Sequence, residues 1–122
     1  MKRISFLLAA LMLMLTACGN ISYSLPRDGH FCYRAGLAEE EVELSKEAQE
    51  YIIGLLNNGK WINDLAGTVD SHVFCTQQAK VRYSSCSGAF NDGTNRRYMT
   101  VTAQDREKIN AWLGLPPEGI TK

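Results

Sequence analysis

The sequence is poor in histidine, proline and long hydrophobic runs, and each shortage excludes a class of protein. Its 122 residues include two histidines, three prolines and a single long apolar run, residues 4–15. One such run in so short a chain excludes a multi-span membrane protein, a solenoid and a barrel enzyme of ordinary size. The formal net charge is zero, whereas nucleic-acid binders usually carry a basic excess. One small globular domain remains.

Motifs that build common active sites are also missing. The chain contains no Cys-x-x-Cys pair, no Gly-x-Ser-x-Gly elbow and no phosphate-binding glycine pattern. Asp70, His72 and one of Ser84, Ser85 or Ser87 have the residue types of a nucleophilic triad, but serines are abundant in this chain and such a combination is expected by chance. The histidines and cysteines lack the spacing of a zinc finger or knuckle. We therefore predict no catalytic residue, no metal ion and no cofactor.

The N-terminus has the pattern of an export signal. Lys2 and Arg3 precede the apolar run, which is shorter than the ~20 apolar residues of a transmembrane helix. Residues 15–18 then read Leu-Thr-Ala-Cys. In this order and spacing, residues 1–18 resemble the signal peptide and lipobox of a bacterial lipoprotein. The resemblance implies cleavage after Ala17 and lipidation of the Cys18 thiol, with palmitate among the acyl chains.

This resemblance divides the chain into four parts. We interpret them as a signal peptide, a lipidated tether, one globular domain and a tail, at residues 1–17, 18–29, 30–115 and 116–122. The tether is predicted from its polar, turn-rich composition. The charge of the exported part is uneven, because Cys18–Asp64 contains four basic and eight acidic residues, against seven and five in the remainder.

Two segments have the apolar periodicity of helices that cover a core. The first is predicted over Lys46–Asn57, with Ser45 as N-cap and Gly59 in the left-handed conformation that ends many helices. The second is predicted over Ala103–Leu113, where Thr102 is the N-cap and a glycine followed by two prolines stops the helix.

Strands are predicted where valine, tyrosine, phenylalanine and threonine recur. These segments are Ser71–Gln77, Val81–Ser87 and Arg97–Thr102, with shorter candidates at His30–Arg34 and Lys60–Leu65. Turn residues at positions 91–95 precede the last strand. The expected fold class is α+β, a small antiparallel sheet of three to four strands flanked by two helices, in the order helix, three strands, helix. The core is predicted to include Phe74 and Trp112.

Three cysteines remain once Cys18 is lipidated. We predict a disulfide between Cys75 and Cys86, on what we take to be adjacent strands, with Cys32 as the free thiol. If the turn between those strands is centred on residues 78–79, Cys86 lies too far along its strand to reach Cys75. A pairing of Cys32 with either cysteine is then the alternative.

The last predicted strand supplies a candidate binding surface. With Met99 facing the core, Tyr98 faces outward beside Arg96 or Arg97. Tyrosine and arginine are enriched in binding hot spots. These three residues are therefore the predicted contact surface.

Taken together, these patterns predict a non-enzymatic binding or interaction module anchored in the cell membrane or the outer membrane. Its expected partners are the membrane, through Cys18, and a protein of the envelope, but no nucleic acid. An alternative is an inhibitor or immunity-type protein that blocks a toxic or hydrolytic enzyme, with the acidic segment Glu39–Glu50 as its contact. A hydrolase that uses Asp70 and His72 is a third reading.

Overall fold

The computed structural model describes residues 21–35, 38–64 and 72–119. Within these ranges the chain forms six strands and two helices. In chain order they are β1 (Cys32–Arg34), β2 (Glu40–Val42), α1 (Lys46–Asn58), β3 (His72–Cys75), β4 (Lys80–Ser84), β5 (Ala89–Asp92), β6 (Arg97–Thr100) and α2 (Ala103–Trp112). The predicted α+β class is confirmed, although the sheet has more strands than the three to four expected.

The strands form one antiparallel sheet in the order β2-β1-β3-β4-β5-β6. Strands β3 to β6 follow one another as hairpins, and β1 lies between β2 and β3. The turn from β3 to β4 is held by Thr76, whose Oγ1 accepts from the amides of Gln78 at 3.2 Å and Ala79 at 2.9 Å. This turn brings Cys75 opposite Lys80 and fixes the register of the two strands.

Helix α1 begins where the sequence predicts. The Ser45 side chain accepts a hydrogen bond from the Ala48 amide at 3.2 Å and so caps the helix. Gly59 follows the helix, but its φ of −75° is not left-handed, which corrects the prediction. A side chain is disfavoured there for another reason, because a Cβ on Gly59 would lie 2.9 Å from the Leu55 carbonyl oxygen and would also meet the end of the Met99 side chain.

Helix α2 has the predicted cap as well. Thr102 Oγ1 accepts from the Asp105 amide at 3.1 Å, and Gly114, with a φ of 73°, reverses the chain after the helix. Among the residues whose positions are described, no helix has both the length and the apolar character that crossing a bilayer requires.

Both helices pack on the same face of the sheet. Ile52 and Leu56 of α1 and Ile109 of α2 belong to one fully buried apolar cluster with sheet residues such as Phe74 and Val81. Phe74 therefore lies in the core, as predicted. At about 25 cal/mol per Å² of buried apolar surface, this single layer of contacts supplies most of the stabilisation of the fold.

Trp112 departs from the prediction that it is a core residue. It is half-exposed and packs edge-to-face on Tyr51, with ring centroids 5.3 Å apart. The ammonium of Lys108 lies 4.6 Å from the centre of the Tyr51 ring. Trp112 thus joins the two helices at the surface rather than filling the interior.

Strands β2 and β5 were not predicted. Strand β2 is three residues of the acidic segment and lies at the edge of the sheet, where charged side chains reach water. Strand β5 reads Ala-Phe-Asn-Asp, and asparagine and aspartate usually favour turns. It forms nevertheless, because β4 and β6 pair with it on both sides. The expected edge strand at Lys60–Leu65 is reduced to one bridge, between Ile62 and Tyr98.

Residues 21–25, predicted as part of a tether, pack on the domain instead. Tyr23 is 2% exposed and belongs to the core cluster. The Asn57 side chain binds its backbone twice, accepting from the Tyr23 amide at 2.6 Å and donating to its carbonyl at 2.9 Å. Gln77 then donates its amide to the Ser24 carbonyl at 3.0 Å. The globular unit therefore includes residue 21, and the polar composition of this segment concealed one buried aromatic ring.

Candidate functional site

The face of the sheet opposite the helices is uncovered at strands β1, β3 and β4. The strand register aligns the side chains of Glu41, Tyr33, Val73 and Arg82 in one row across this face. Tyr33 and Val73 are half-exposed, and the two charged ends of the row are exposed. Three strand spacings of ~4.8 Å separate Glu41 from Arg82 by roughly 14 Å.

A groove of about 470 Å³ lies over this row. Its lining comes from the chain before β1 and from the ends of β1, β3 and β4. The lining residues are Pro26, Asp28, His30, Tyr33, Ala35, Glu39, Val73, Cys75, Thr76, Lys80 and Arg82. The groove thus offers both polar and apolar surface, with Tyr33 and Val73 as its apolar floor.

The two sides of the groove carry opposite charge. Lys80 and Arg82 of β4 form a basic wall, and Asp28 and Glu39 lie on the acidic side. His30 belongs to the acidic side too, because its Nδ1 is 2.6 Å from Oε1 of Glu41. The hydrogen bond and the charge of Glu41 raise the pKa of His30. The groove therefore suits a ligand that presents both a cationic and an anionic group.

Cys75 is the thiol of this groove, and it is not in a disulfide. Cys32, Cys75 and Cys86 are all free in the structure. The predicted bond between Cys75 and Cys86 is absent, because Cys75 pairs with Lys80 at one end of β4 and Cys86 lies in the turn beyond the other end. The alternative pairing of Cys32 with Cys75 is not formed either, since Cys32 packs in the core and Cys75 faces the groove.

The three thiols are expected to differ sharply in reactivity towards iodoacetamide in the folded protein. Burial raises the pKa of Cys32 to about 12, and burial also raises the pKa of Cys75. Cys86 is exposed. Because the thiolate is the reacting species, Cys86 should be alkylated first, Cys75 more slowly and Cys32 only after unfolding. Peptide mass spectrometry at pH 8 measures the order, and a linked Cys75–Cys86 peptide would contradict it.

The predicted surface of Arg96, Arg97 and Tyr98 does not form as a unit. Arg96 is exposed in the β5–β6 turn, with a φ of 53°, and Tyr98 is half-buried on the uncovered face. Arg97 instead faces the helices together with Met99 and is buried. The parity predicted for Tyr98 and Met99 is correct, but it places Arg97 on the inner face, so this arginine is not a contact residue.

Arg97 is part of a buried polar cluster with Tyr23, Asp92 and Trp61. The Tyr23 hydroxyl donates to Asp92 Oδ2 at 2.6 Å and accepts from Arg97 Nη2 at 2.6 Å. Burial, with the hydrogen bond to Asp92, raises the pKa of Tyr23 to about 12. The Arg97 guanidinium lies 4.4 Å from the centre of the Trp61 ring. The cluster holds residues 21–25, the N-terminal segment, against β5 and β6.

The acidic segment predicted as a contact surface runs from strand β2, at the edge of the sheet, into the start of α1. Residues 39–50 contain six glutamates and one lysine, and all seven side chains are exposed. Among the charged pairs described, Glu41 contacts His30 and Glu40 lies 3.9 Å from Arg34. This edge of the sheet and the acidic side of the groove together form one negatively charged surface.

The triad considered from the sequence gains no support. Asp70 and the signal with Cys18 lie outside the described residues. His72 is buried on the helix-covered face, in the same row as Tyr83. Ser87 donates to the hydroxyl of Ser84 at 2.8 Å, in the turn after β4. Within the described ranges, no three histidine, cysteine or acidic side chains are grouped as a metal site would require.

No family model, curated protein or solved structure matches this chain. A function is therefore proposed from the export signal that the sequence predicts, from the groove and from the distribution of charges.

Proposed function

We propose that this protein is a lipid-anchored, non-enzymatic binding module of the bacterial envelope, and that the groove over β1, β3 and β4 receives its partner. The lipobox at residues 15–18 supports the anchor. The observation that carries the binding role is the uncovered sheet face, because both helices and residues 21–25 pack on the core at the other face.

The chemistry of the groove indicates a protein partner. Tyr33 offers an aromatic ring that excludes water from neighbouring contacts, and Arg82 offers a planar cation that pairs with a carboxylate. The acidic side, about 14 Å away across three strands, suits a lysine or arginine of the same partner. A surface loop that carries both charges fits this spacing.

The proposal is tested by photo-crosslinking in living cells. A benzophenone amino acid replaces Tyr33 in the groove, and Glu107, exposed on α2, is the matched control position. We expect irradiation to give a discrete higher-mass adduct from position 33 and none from position 107. Arg82→Glu in the same chain should remove the adduct, since it leaves the wall of Lys80 and residue 82 with no net charge. Equal adducts at positions 33 and 107, or none at 33, would exclude the groove as the contact.

A second candidate function is that of an inhibitor or immunity-type protein directed at a basic enzyme of the envelope. The exposed carboxylates of the β2 edge favour it, since electrostatic complementarity accelerates association and selects partners. The same experiment separates the two functions by means of a benzophenone at Glu40. An adduct from position 40 that disappears in high salt, without one from position 33, would favour the inhibitor.

A further inference from the structure

The N-terminal segment follows a defined path across one end of the sheet. Gln77, in the β3–β4 turn, binds the carbonyls of Ser24 and Leu25. Tyr23 lies further along, at Asp92 and Arg97 of β5 and β6. Read backwards along the chain, the segment therefore runs from the middle of the sheet towards the β6 edge.

The proposed anchor precedes the described part of the chain by only a few residues. Ile21 is packed against the core cluster. Cys18 precedes it by three residues, and three extended residues span roughly 10 Å. A domain attached through so short a stretch cannot turn freely above its membrane, so the surface around Ile21 must face the bilayer.

The β6 edge has the composition of a surface that rests on lipid headgroups. Trp61 contacts Tyr23, with ring centroids 5.5 Å apart. The next residue, Ile62, pairs with β6 and is 51% exposed, which is high for a large apolar side chain. Lys60 and Arg96 are exposed as well, and Asp64 is the one carboxylate among the described residues 60–64. An apolar side chain between basic ones is typical of contact with an anionic membrane.

The opposite edge has the opposite charge. Strand β2 is five strand spacings from β6, or about 24 Å, and four exposed glutamates lie on it or beside it, at positions 39, 40, 41 and 43. An anionic bilayer repels this edge and attracts the other. The charges of the domain therefore favour the same orientation as the short link to Cys18.

We propose that the β6 edge of the domain contacts the membrane. Lys60, Trp61 and Ile62 then lie against the lipid headgroups, and the acidic β2 edge points away from the bilayer. The membrane contact surface consists of those three residues and Arg96. This inference rests on the proposed lipid anchor. It places the groove rim and the β2 edge where a soluble or opposing partner reaches them.

Tryptophan quenching by brominated lipid tests this orientation in the lipidated protein. The chain has two tryptophans, so Trp112→Phe reports on Trp61 and Trp61→Phe reports on Trp112. Each variant is reconstituted in vesicles of phosphatidylglycerol and phosphatidylcholine with brominated acyl chains. We expect Trp61 to be quenched about twofold more strongly than Trp112, because a surface residue at the headgroup boundary lies within roughly 10 Å of the acyl chains.

Three further variants separate the two causes of the orientation, which are the charge of the β6 edge and the short link to Cys18. Lys60→Glu should reduce the quenching of Trp61 on anionic vesicles, whereas Lys46→Glu, at the exposed start of α1, should not. Ten glycine and serine residues inserted between Asn20 and Ile21 should abolish the difference between the two tryptophans. Equal quenching of Trp61 and Trp112 in protein that is labelled by palmitate would overturn the orientation and leave the anchor intact. Absence of palmitate labelling would instead reject the anchor itself.

Discussion

Replacing Arg97 by alanine is expected to lower the free energy of unfolding by about 3–5 kcal/mol, the usual cost of removing one partner of a buried charge pair. The Asp92 side chain is fully buried, and that of Arg97 is 10% exposed. The substitution leaves the Asp92 carboxylate without its nearest cation. It also removes the guanidinium stacked on Trp61 and the two donors to the Tyr23 hydroxyl.

Arg96→Ala is the matched control for this prediction. The two arginines are adjacent, but Arg96 is exposed, and exposed substitutions usually change stability by no more than ~0.5 kcal/mol. Arg96 already adopts a positive φ, so alanine at this position adds no new backbone strain. Urea unfolding followed by circular dichroism measures both variants. Equal and small effects of the two substitutions would show that the buried cluster does not stabilise the fold.

Cys18→Ser is expected to remove the protein from the membrane fraction and to abolish its labelling by palmitate. If Cys18 carries the lipid, as the lipobox predicts, serine leaves no thiol to modify. Each acyl methylene in the bilayer contributes ~0.8 kcal/mol, so two or three chains hold a small domain stably. Membrane association should therefore depend on the sulfur atom of Cys18.

Cys86→Ser controls for the loss of any thiol. Cys86 is exposed and lies outside the lipobox, so its replacement should leave both fractionation and labelling unchanged. Separation of membranes by ultracentrifugation, with detection by immunoblot, gives the result. Recovery of Cys18→Ser in the membrane fraction at the level of the unsubstituted protein would refute the lipoprotein proposal.

The helices were predictable from the sequence because their signals are local. Ser45 and Thr102 bind amides three residues away, and the apolar stripes follow from a fixed period. Strand β5 was not predictable in this way. Its asparagine and aspartate have low strand propensity, and its conformation depends on pairing with both neighbours.

The candidate site was missed for a related reason. Its walls come from the chain before β1 and from β3 and β4, whose side-by-side placement depends on β1 entering the sheet between β2 and β3. The burial of Arg97 is equally non-local, since its partner Tyr23 is 74 residues away. The local sequence pattern predicts that a charged residue in a strand is exposed. Arg97 is buried instead because Tyr23 and Asp92 bind its guanidinium in the interior.

The contact between Tyr23 and β6 also sets an order of assembly. The β3–β6 hairpins pair residues that are close in the chain, whereas the Tyr23 cluster closes a loop of 74 residues. Loop closure costs more entropy as the loop lengthens, and distant contacts form more slowly. The first described part of the chain is therefore among the last to dock. Strand β6 must have been synthesised and released before the N-terminal segment can pack on it.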